Sequence, residues 1–299
     1  MGGQKGMVHA NTQLWTQQEQ PQLDEVVGRI DDISTLPHMA IQVMEVANDP
    51  SSGAMDLKEV VETDAALSAR ILRCVNSSAF ATRTRVTSLQ QGIAYLGLNQ
   101  IRNLAVTASV SELFRNDEKI GPYRRSRLWQ HLVSVGICAR LLAMRCKVNE
   151  FEEAFLAGLL HDIGIVLQDQ HIHEPYCEVL RSLDNSTSLT TVERSVLGFD
   201  HTVLGARVAV KWGFPEATKA SIRHHHGSVS YRGDQMEIVR CVEIANLLCT
   251  LKGIPSVGLK LVNVPQAALK GLGLTREDIT VLATDLDQEL SASAYLFEI

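Results

Sequence analysis

Apolar positions in this chain recur mainly three and four residues apart, the period of a helix with one buried face. Ala65, Leu67, Ile71, Leu72 and Val75 follow that spacing, and Leu128, Val135, Cys138 and Leu142 follow it again further on. No run alternates with period two for long enough to predict a strand. The pattern predicts helices at about 22–30, 38–48, 56–63, 65–76, 88–96 and 99–114. Pro37 and Asp49-Pro50 punctuate the first of these. Asp64, Ser88 and Asn99 are predicted N-caps, and Gly97 a C-cap. Residues 115–123, which include Gly121-Pro122, read as a turn and a lobe boundary.

Beyond that turn a long helix is predicted near 123–146, then one from a cap at Asn149 to about His161. Pro175 suits the first turn of a helix near 174–184. Thr190 and Glu193 have the spacing of a capping box for a helix that Gly198 ends. Asp200 caps a helix that closes at Trp212-Gly213-Phe214-Pro215, and the next helix carries His224-His225-His226. Asp234 with Glu237 opens another, ending near Thr250. Residues 252–274 are less regular, and Thr275 with Asp278 opens a last amphipathic helix near 276–291. No repeat of fixed period appears. The predicted fold is all-α, a two-lobed helical bundle. A disordered Gln-rich tail covers 1–21, an N-terminal lobe 22–118, a second lobe 119–251, and a C-terminal helical extension 252–299.

Composition narrows the class. The chain has 299 residues, 45% hydrophobic and 21% charged, ordinary values for a folded soluble protein. Its 28 Lys and Arg against 34 Asp and Glu leave a net charge of -6, which argues against nucleic acid or an anionic membrane as partner. With 5% aromatics, stacking platforms for single strands are not expected either. Six cysteines, at 74, 138, 146, 177, 241 and 249, form no Cys-x-x-Cys pair and sit within apolar helical patterns. They read as buried, reduced thiols of a cytoplasmic protein. The longest apolar run, from Ala154 to Leu167, is interrupted by a His-Asp pair and is too short to span a bilayer.

That pair is where candidate chemistry begins. His161-Asp162 ends the apolar helical run Phe155-Leu156-Ala157-Gly158-Leu159-Leu160. An ionised carboxylate is costly to bury without a partner, and a metal ion would claim imidazole and carboxylate together. His131 shares the buried stripe of Leu128 and Val135, and His201 follows the cap Asp200 at the start of another buried face. His224, His225 and His226 are adjacent, so they cannot all point one way on a helix of 3.6 residues per turn. Two of them could converge on one site where Gly227 ends the helix. Each histidine alone has an ordinary structural explanation. Four separate helices each bringing His or Asp to an apolar face point to one shared metal site.

These residues, with others, resemble the HDOD family, a branch of the HD superfamily of metal-dependent phosphohydrolases. In the first lobe the likeness rests on Leu36-Pro37, Asp64-Ala65-Ala66-Leu67, Ile71 to Ser77, Ser88-Leu89 and Ile93-Ala94-Tyr95-Leu96-Gly97. In the second it rests on Leu128-Trp129-Gln130-His131, Gly158 to Gly164, His201 with Gly205-Ala206, and Ile222 with His225-His226. The likeness spans about 22–250. It implies that His131, His161, Asp162, His201, His225 and His226 are metal ligands, Asp162 bridging two cations, with His161 and Asp162 catalytic in an active hydrolase.

The chain departs from the pattern in four places. Asn246 stands where HD proteins end the set with Asp, and Ile165 where related hydrolases commonly carry a phosphate-contacting Lys. Gly227-Ser228-Val229 replaces the Gly-Tyr-Pro element of the HD-GYP branch, and Arg127 takes the place of a Glu that branch can carry. Asn246 can coordinate through its amide oxygen but adds no charge, so a single ion or a weaker second one is expected. A mostly imidazole shell favours Fe, Mn, Zn or Ni over Mg or Ca. The expected function is bacterial signalling or regulation through a protein partner or a nucleotide or phosphate-containing ligand, with little hydrolysis. The alternatives are a phosphohydrolase acting on a nucleotide or cyclic dinucleotide, and an HD-type diiron redox protein. In the first lobe, Asp64, Arg70, Arg73, Asn76 and Ser77 are candidate contact residues, with a helix cap and surface ion pairs as the favoured reading.

Overall fold

In the computed structural model, which describes residues 20–32, 37–49, 51–77, 80, 84–184, 186–258 and 264–297, the helical period becomes a succession of helices. The first six are α1 (Gln20–Asp32), α2 (His38–Asn48), α3 (Ala54–Glu62), α4 (Ala65–Val75), α5 (Leu89–Leu96) and α6 (Leu98–Val110). After a 3-10 turn come strands β1 (Lys119–Ile120) and β2 (Tyr123–Arg124), then α7 (Arg125–Arg145) and α8 (Phe151–Leu160). Then follow α9 (Ile163–His171), α10 (His173–Ser182), α11 (Leu189–Leu197), α12 (His201–Lys211), α13 (Glu216–His224) and α14 (Met236–Leu251). The chain ends with α15 (Gln266–Gly271) and α16 (Arg276–Ala292). The fold is all-α. Residues 1–19 of the expected tail, Leu36 and Pro50 lie outside the described residues; Gln20 and Pro21 already belong to α1.

The caps show where local chemistry decides. Asp64 accepts from Leu67 N at 2.9 Å, Ser88 from Gln91 N, and Asp200 from Val203 N, each satisfying a donor that a helix start leaves over. Gly198 closes α11 in the left-handed region at φ 79°. Thr275 and Asp278 form a reciprocal capping box. Other expectations are corrected. Gly97, not Asn99, stands at the start of α6, and Glu150, not Asn149, at that of α8. Ser188 rather than Thr190 caps α11, accepting from Thr191 N, and Glu193 bonds His201 instead of closing a capping box. The turn at 115–123 holds a two-residue antiparallel hairpin, Lys119 opposite Arg124 and Ile120 opposite Tyr123, too short to show an alternating pattern.

Helices α2 to α6 pack on one another, and α6 leans on α8. In the second part α7 crosses α8, α14 lies over both, α13 packs on α8 and α12, and α12 on α9. α1 docks on α9 and α12, while α16 lies along α7 and α15 against α14. Where α6 meets α8, Arg102 donates to Glu153 at 2.6 Å and Asn103 to Glu152 at 2.7 Å, both from buried positions. Among the first-lobe candidates, Asp64 caps α4, Arg70 pairs with Glu112 at 2.7 Å, and Asn76 ties its helix end to both Val86 O and Val86 N at 2.8 Å.

Two close crossings position the site. A Cβ on Gly158 would stand 2.8 Å from both Gly136 Cα and Val135 O, so α7 and α8 approach backbone to backbone. A Cβ on Gly164 would overlap the carbonyl oxygen of His201, which brings the start of α9 against the start of α12. The first crossing sets His131 beside His161, and the second sets His201 beside Asp162.

Candidate metal centre

The peptide from His161 to Ile163 is the pivot. His161 follows α8, and Asp162 occupies the position before α9 with φ -102° and ψ 19°. Both are buried, as are His131 on α7, His201 on α12 and His225 at the end of α13. The two oxygens of Asp162 face different imidazoles. Oδ2 stands 3.3 Å from His161 Nε2 and 3.8 Å from His131 Nε2. Oδ1 stands 3.1 Å from His225 Nε2 and 3.3 Å from His201 Nε2. His226 joins the second group, its Nε2 3.1 Å from His201 Nε2, on the exposed edge. Two sets of donors able to hold a metal ion result: His131, His161 and Asp162, and Asp162, His201, His225 and His226.

The other ring nitrogens fix the tautomers. His131 Nδ1 is 2.6 Å from Ile254 O, His161 Nδ1 2.7 Å from Gly158 O, and His225 Nδ1 3.0 Å from Ile222 O. A carbonyl oxygen only accepts, so each Nδ1 carries the proton and each neutral ring turns a bare Nε2 inward. Burial lowers the His131 pKa to about 4 and lowers that of His225 as well. His201 differs. Burial opposes its charge, but Glu193 and Asp162 outweigh burial and hold it well above the ordinary histidine value. Glu193 Oε2 accepts from His201 Nδ1 at 2.7 Å and from His201 N at 3.1 Å. Burial would push Asp162 up, yet the imidazoles of His161, His201 and His225 around it outweigh burial and leave its carboxyl well below the usual range.

Apart from His201, the cluster is a set of acceptors short of protons. His131 Nε2, His161 Nε2 and Asp162 Oδ1 are buried and make no aligned hydrogen bond. Lone pairs facing one another at these distances repel unless positive charge lies between them. Ligand atoms on a tetrahedral ion with bonds of about 2.1 Å stand roughly 3.4 Å apart, close to the separations around Asp162. The residues present therefore fit a metal ion.

The remaining expected positions divide. Asn246, on α14, lines a cavity that also touches His201, His225 and His226. His224 faces away: its Nδ1 lies 2.8 Å from Ser230 Oγ and its ring packs on Tyr231. Ile165 is buried and Arg127 exposed. Two contributors escaped sequence reasoning. Glu193 had the spacing of a capping residue, and its distance of eight residues from His201 was the only cue to its partner. The Ile254 carbonyl, being backbone, leaves no trace in side-chain chemistry.

The fold is helical, and several imidazoles gather around one buried aspartate in two donor sets able to hold a metal ion. A model of the HDOD domain matches residues 33–228, and the chain belongs to that family. Among solved structures, an HDOD domain protein of unknown function from Geobacter sulfurreducens is 24% identical, with a TM-score of 0.75 over 92% of this chain and 96% of that one. A protein of Marinobacter aquaeolei VT8, provisionally named for signal transduction, is 23% identical, with a TM-score of 0.74 over 95% of this chain and 66% of that one. One of Shewanella amazonensis SB2B, provisionally named a metal-dependent phosphohydrolase, is 21% identical, with a TM-score of 0.60 over 94% of this chain and 100% of that one. At such identities the likeness speaks to the fold. An uncharacterised protein of Treponema pallidum (strain Nichols) is 24% identical over 228 residues, 74% of this chain, which spans 43% of that relative's length. Among the described residues no helix is long and apolar enough to cross a membrane.

Proposed function

We propose that this chain is a cytoplasmic signalling or regulatory protein whose HD-type centre holds one or two divalent metal ions. It acts as a ligand-sensing or protein-interaction module with little or no hydrolase activity. We divide the chain into lobes 22–118 and 119–251, with α1 reaching across to α9 and α12 of the second. The observation that carries the metal reading is the proton-poor cluster: Nε2 atoms and carboxylate oxygens 3.1–3.8 Å apart, three of them without an aligned hydrogen bond. His131, His161 and Asp162 Oδ2 would hold one ion, and Asp162 Oδ1, His201, His225 and His226 the other, with the Asn246 oxygen at its border. Imidazole donors favour Fe, Mn, Zn or Ni over Mg or Ca. A bound ion of this kind supplies Lewis acidity and lowers the pKa of a bound water.

Two features weigh against turnover. Ile165 brings no cation to a phosphate, and Asp162 is the only carboxylate among the proposed ligands. A cavity opening on three of the histidines supports phosphohydrolysis as the second reading. Metal analysis of the purified chain, followed by a phosphoester panel with Mn or Fe added, tests both. Metal present in the wild type, lost in Asp162→Ala, and no turnover is the expected result. A wild type that takes up no metal on reconstitution overturns the centre. Turnover that vanishes with His161→Ala overturns the non-hydrolytic reading.

A further inference from the structure

The two donor sets around Asp162 differ in access. His131 and His161 have no solvent exposure. The set of His201, His225 and His226 opens onto a cavity of about 300 Å³. That volume is at the lower end for small-molecule sites, roughly 300–1,000 Å³. One side of the cavity is imidazole. The rest of the lining includes Ser188, Thr190, Thr250, Ser256, Glu243 and Asn246, all with hydrogen-bonding side chains. Leu189, Leu247 and Val257 supply apolar patches between them. Among the described residues no Lys, Arg, Phe, Tyr or Trp side chain lines it.

Each feature restricts the ligand. An ionised carboxylate only accepts, so what meets Glu243 must donate. One Glu243 oxygen takes the Ser228 N–H at 3.2 Å, which fixes the side chain against the cavity wall. A second anionic group on the ligand would meet Glu243, and Arg240, the cation that acts on Glu243, does not line the cavity. A nucleobase would have only the three histidine rings to stack on, and those would hold the ion. A single anionic head group has one favourable place, the side where His201, His225 and His226 would hold the open ion.

We infer that this cavity binds a small polyhydroxylated phosphate monoester, its head group toward the metal and its hydroxyls against Glu243, Asn246, Thr250 and Ser256. The inference rests on the metal reading above and names the ligand class of that centre. Calorimetric titration of the full Mn-loaded chain with inorganic phosphate, glycerol 3-phosphate and cyclic di-GMP tests it. Inorganic phosphate reports the head-group position alone, and glycerol 3-phosphate adds the hydroxyls. Glycerol 3-phosphate should bind at least about tenfold tighter than phosphate, the equivalent of one hydrogen bond to a charged group. Cyclic di-GMP should give no heat. Glu243→Gln and Thr250→Val should each erase several-fold of that difference and leave phosphate affinity unchanged; two variants guard against one that fails to fold. Equal affinities for phosphate and glycerol 3-phosphate, or binding of cyclic di-GMP, overturn the ligand class while leaving the metal intact. A chain that takes up no Mn overturns the inference together with the centre, and the metal analysis identifies that case.

Discussion

Glu193 offers the sharpest test of how the centre is held. Its side chain is fully buried on α11 and grips His201 twice, at Nδ1 and at the backbone N, 2.7 and 3.1 Å away. Its other oxygen is buried without a partner among the described residues. Glu193→Gln keeps the shape and one acceptor oxygen but removes the charge. A hydrogen bond to a charged group contributes about 1.5–3 kcal/mol and a neutral one about 0.5–1.5. The difference, about 1–1.5 kcal/mol, corresponds to roughly fivefold to tenfold weaker binding of the ion that His201 would share. Glu193→Ala removes both acceptors, leaves two His201 donors unpaired and frees the ring, which costs about 10–100-fold in affinity. Competitive titration against a chromophoric chelator, with circular dichroism to confirm folding, should rank wild type above Gln and Gln above Ala. Wild-type affinity in the Ala variant would refute the positioning role.

Gly158→Ala places a methyl group 2.8 Å from Gly136 Cα, against ordinary carbon contacts of about 3.5–4.0 Å. It should cost about 1–3 kcal/mol and lower the melting temperature by several degrees, and an unchanged thermal melt would show that the crossing is looser than described. Asn246→Asp adds a carboxylate beside the open histidines and should tighten the weaker ion at least several-fold, read by the same chelator titration; no change would remove Asn246 from the set. Acid stability should depend on Asp169. Burial would raise its carboxyl, but the bonds from Arg125 and Tyr123 outweigh it and hold the folded-state value below the ordinary one. Its stabilisation is therefore complete above the unfolded value near about 3.9 and is lost as pH falls through the folded one. Melting curves from pH 7 to pH 3 should show a steeper acid decline in wild type than in Asp169→Asn, and parallel curves would contradict the sign.

Periodicity made most of the fold legible. Helices with one apolar face, such as α4 and α16, lie within a residue or two of their predicted bounds. α9 was missed because Ile163 to Asp169 is buried all round, and a segment without a polar face shows no period. α15 has six residues, too few to establish one. In the site, the residues whose identity is unusual for a core were legible: buried His and Asp announce themselves by cost. The parts that hold them were not. Glu193 looks like any helix-start glutamate, and the glycine crossings record only that something comes close, not what.

Charge is the consideration that ties centre and cavity together. Two divalent ions would bring four positive charges. Asp162 supplies one negative charge directly, and Glu193 a second through the His201 ring. Asn246 supplies none. The buried set, with His131 and His161 closed off from solvent, cannot draw balancing charge from water, whereas the set bordered by exposed His226 can. Any remaining balance must therefore arrive through the cavity, as hydroxide or as the head group of a ligand. A site short of negative charge on its open side binds an anion more tightly once both ions are present, and the second ion more tightly once the anion is present, because the coupling is reciprocal. A centre built this way would respond to metal and ligand jointly, which favours the proposed sensor over a catalyst that must release its anionic product.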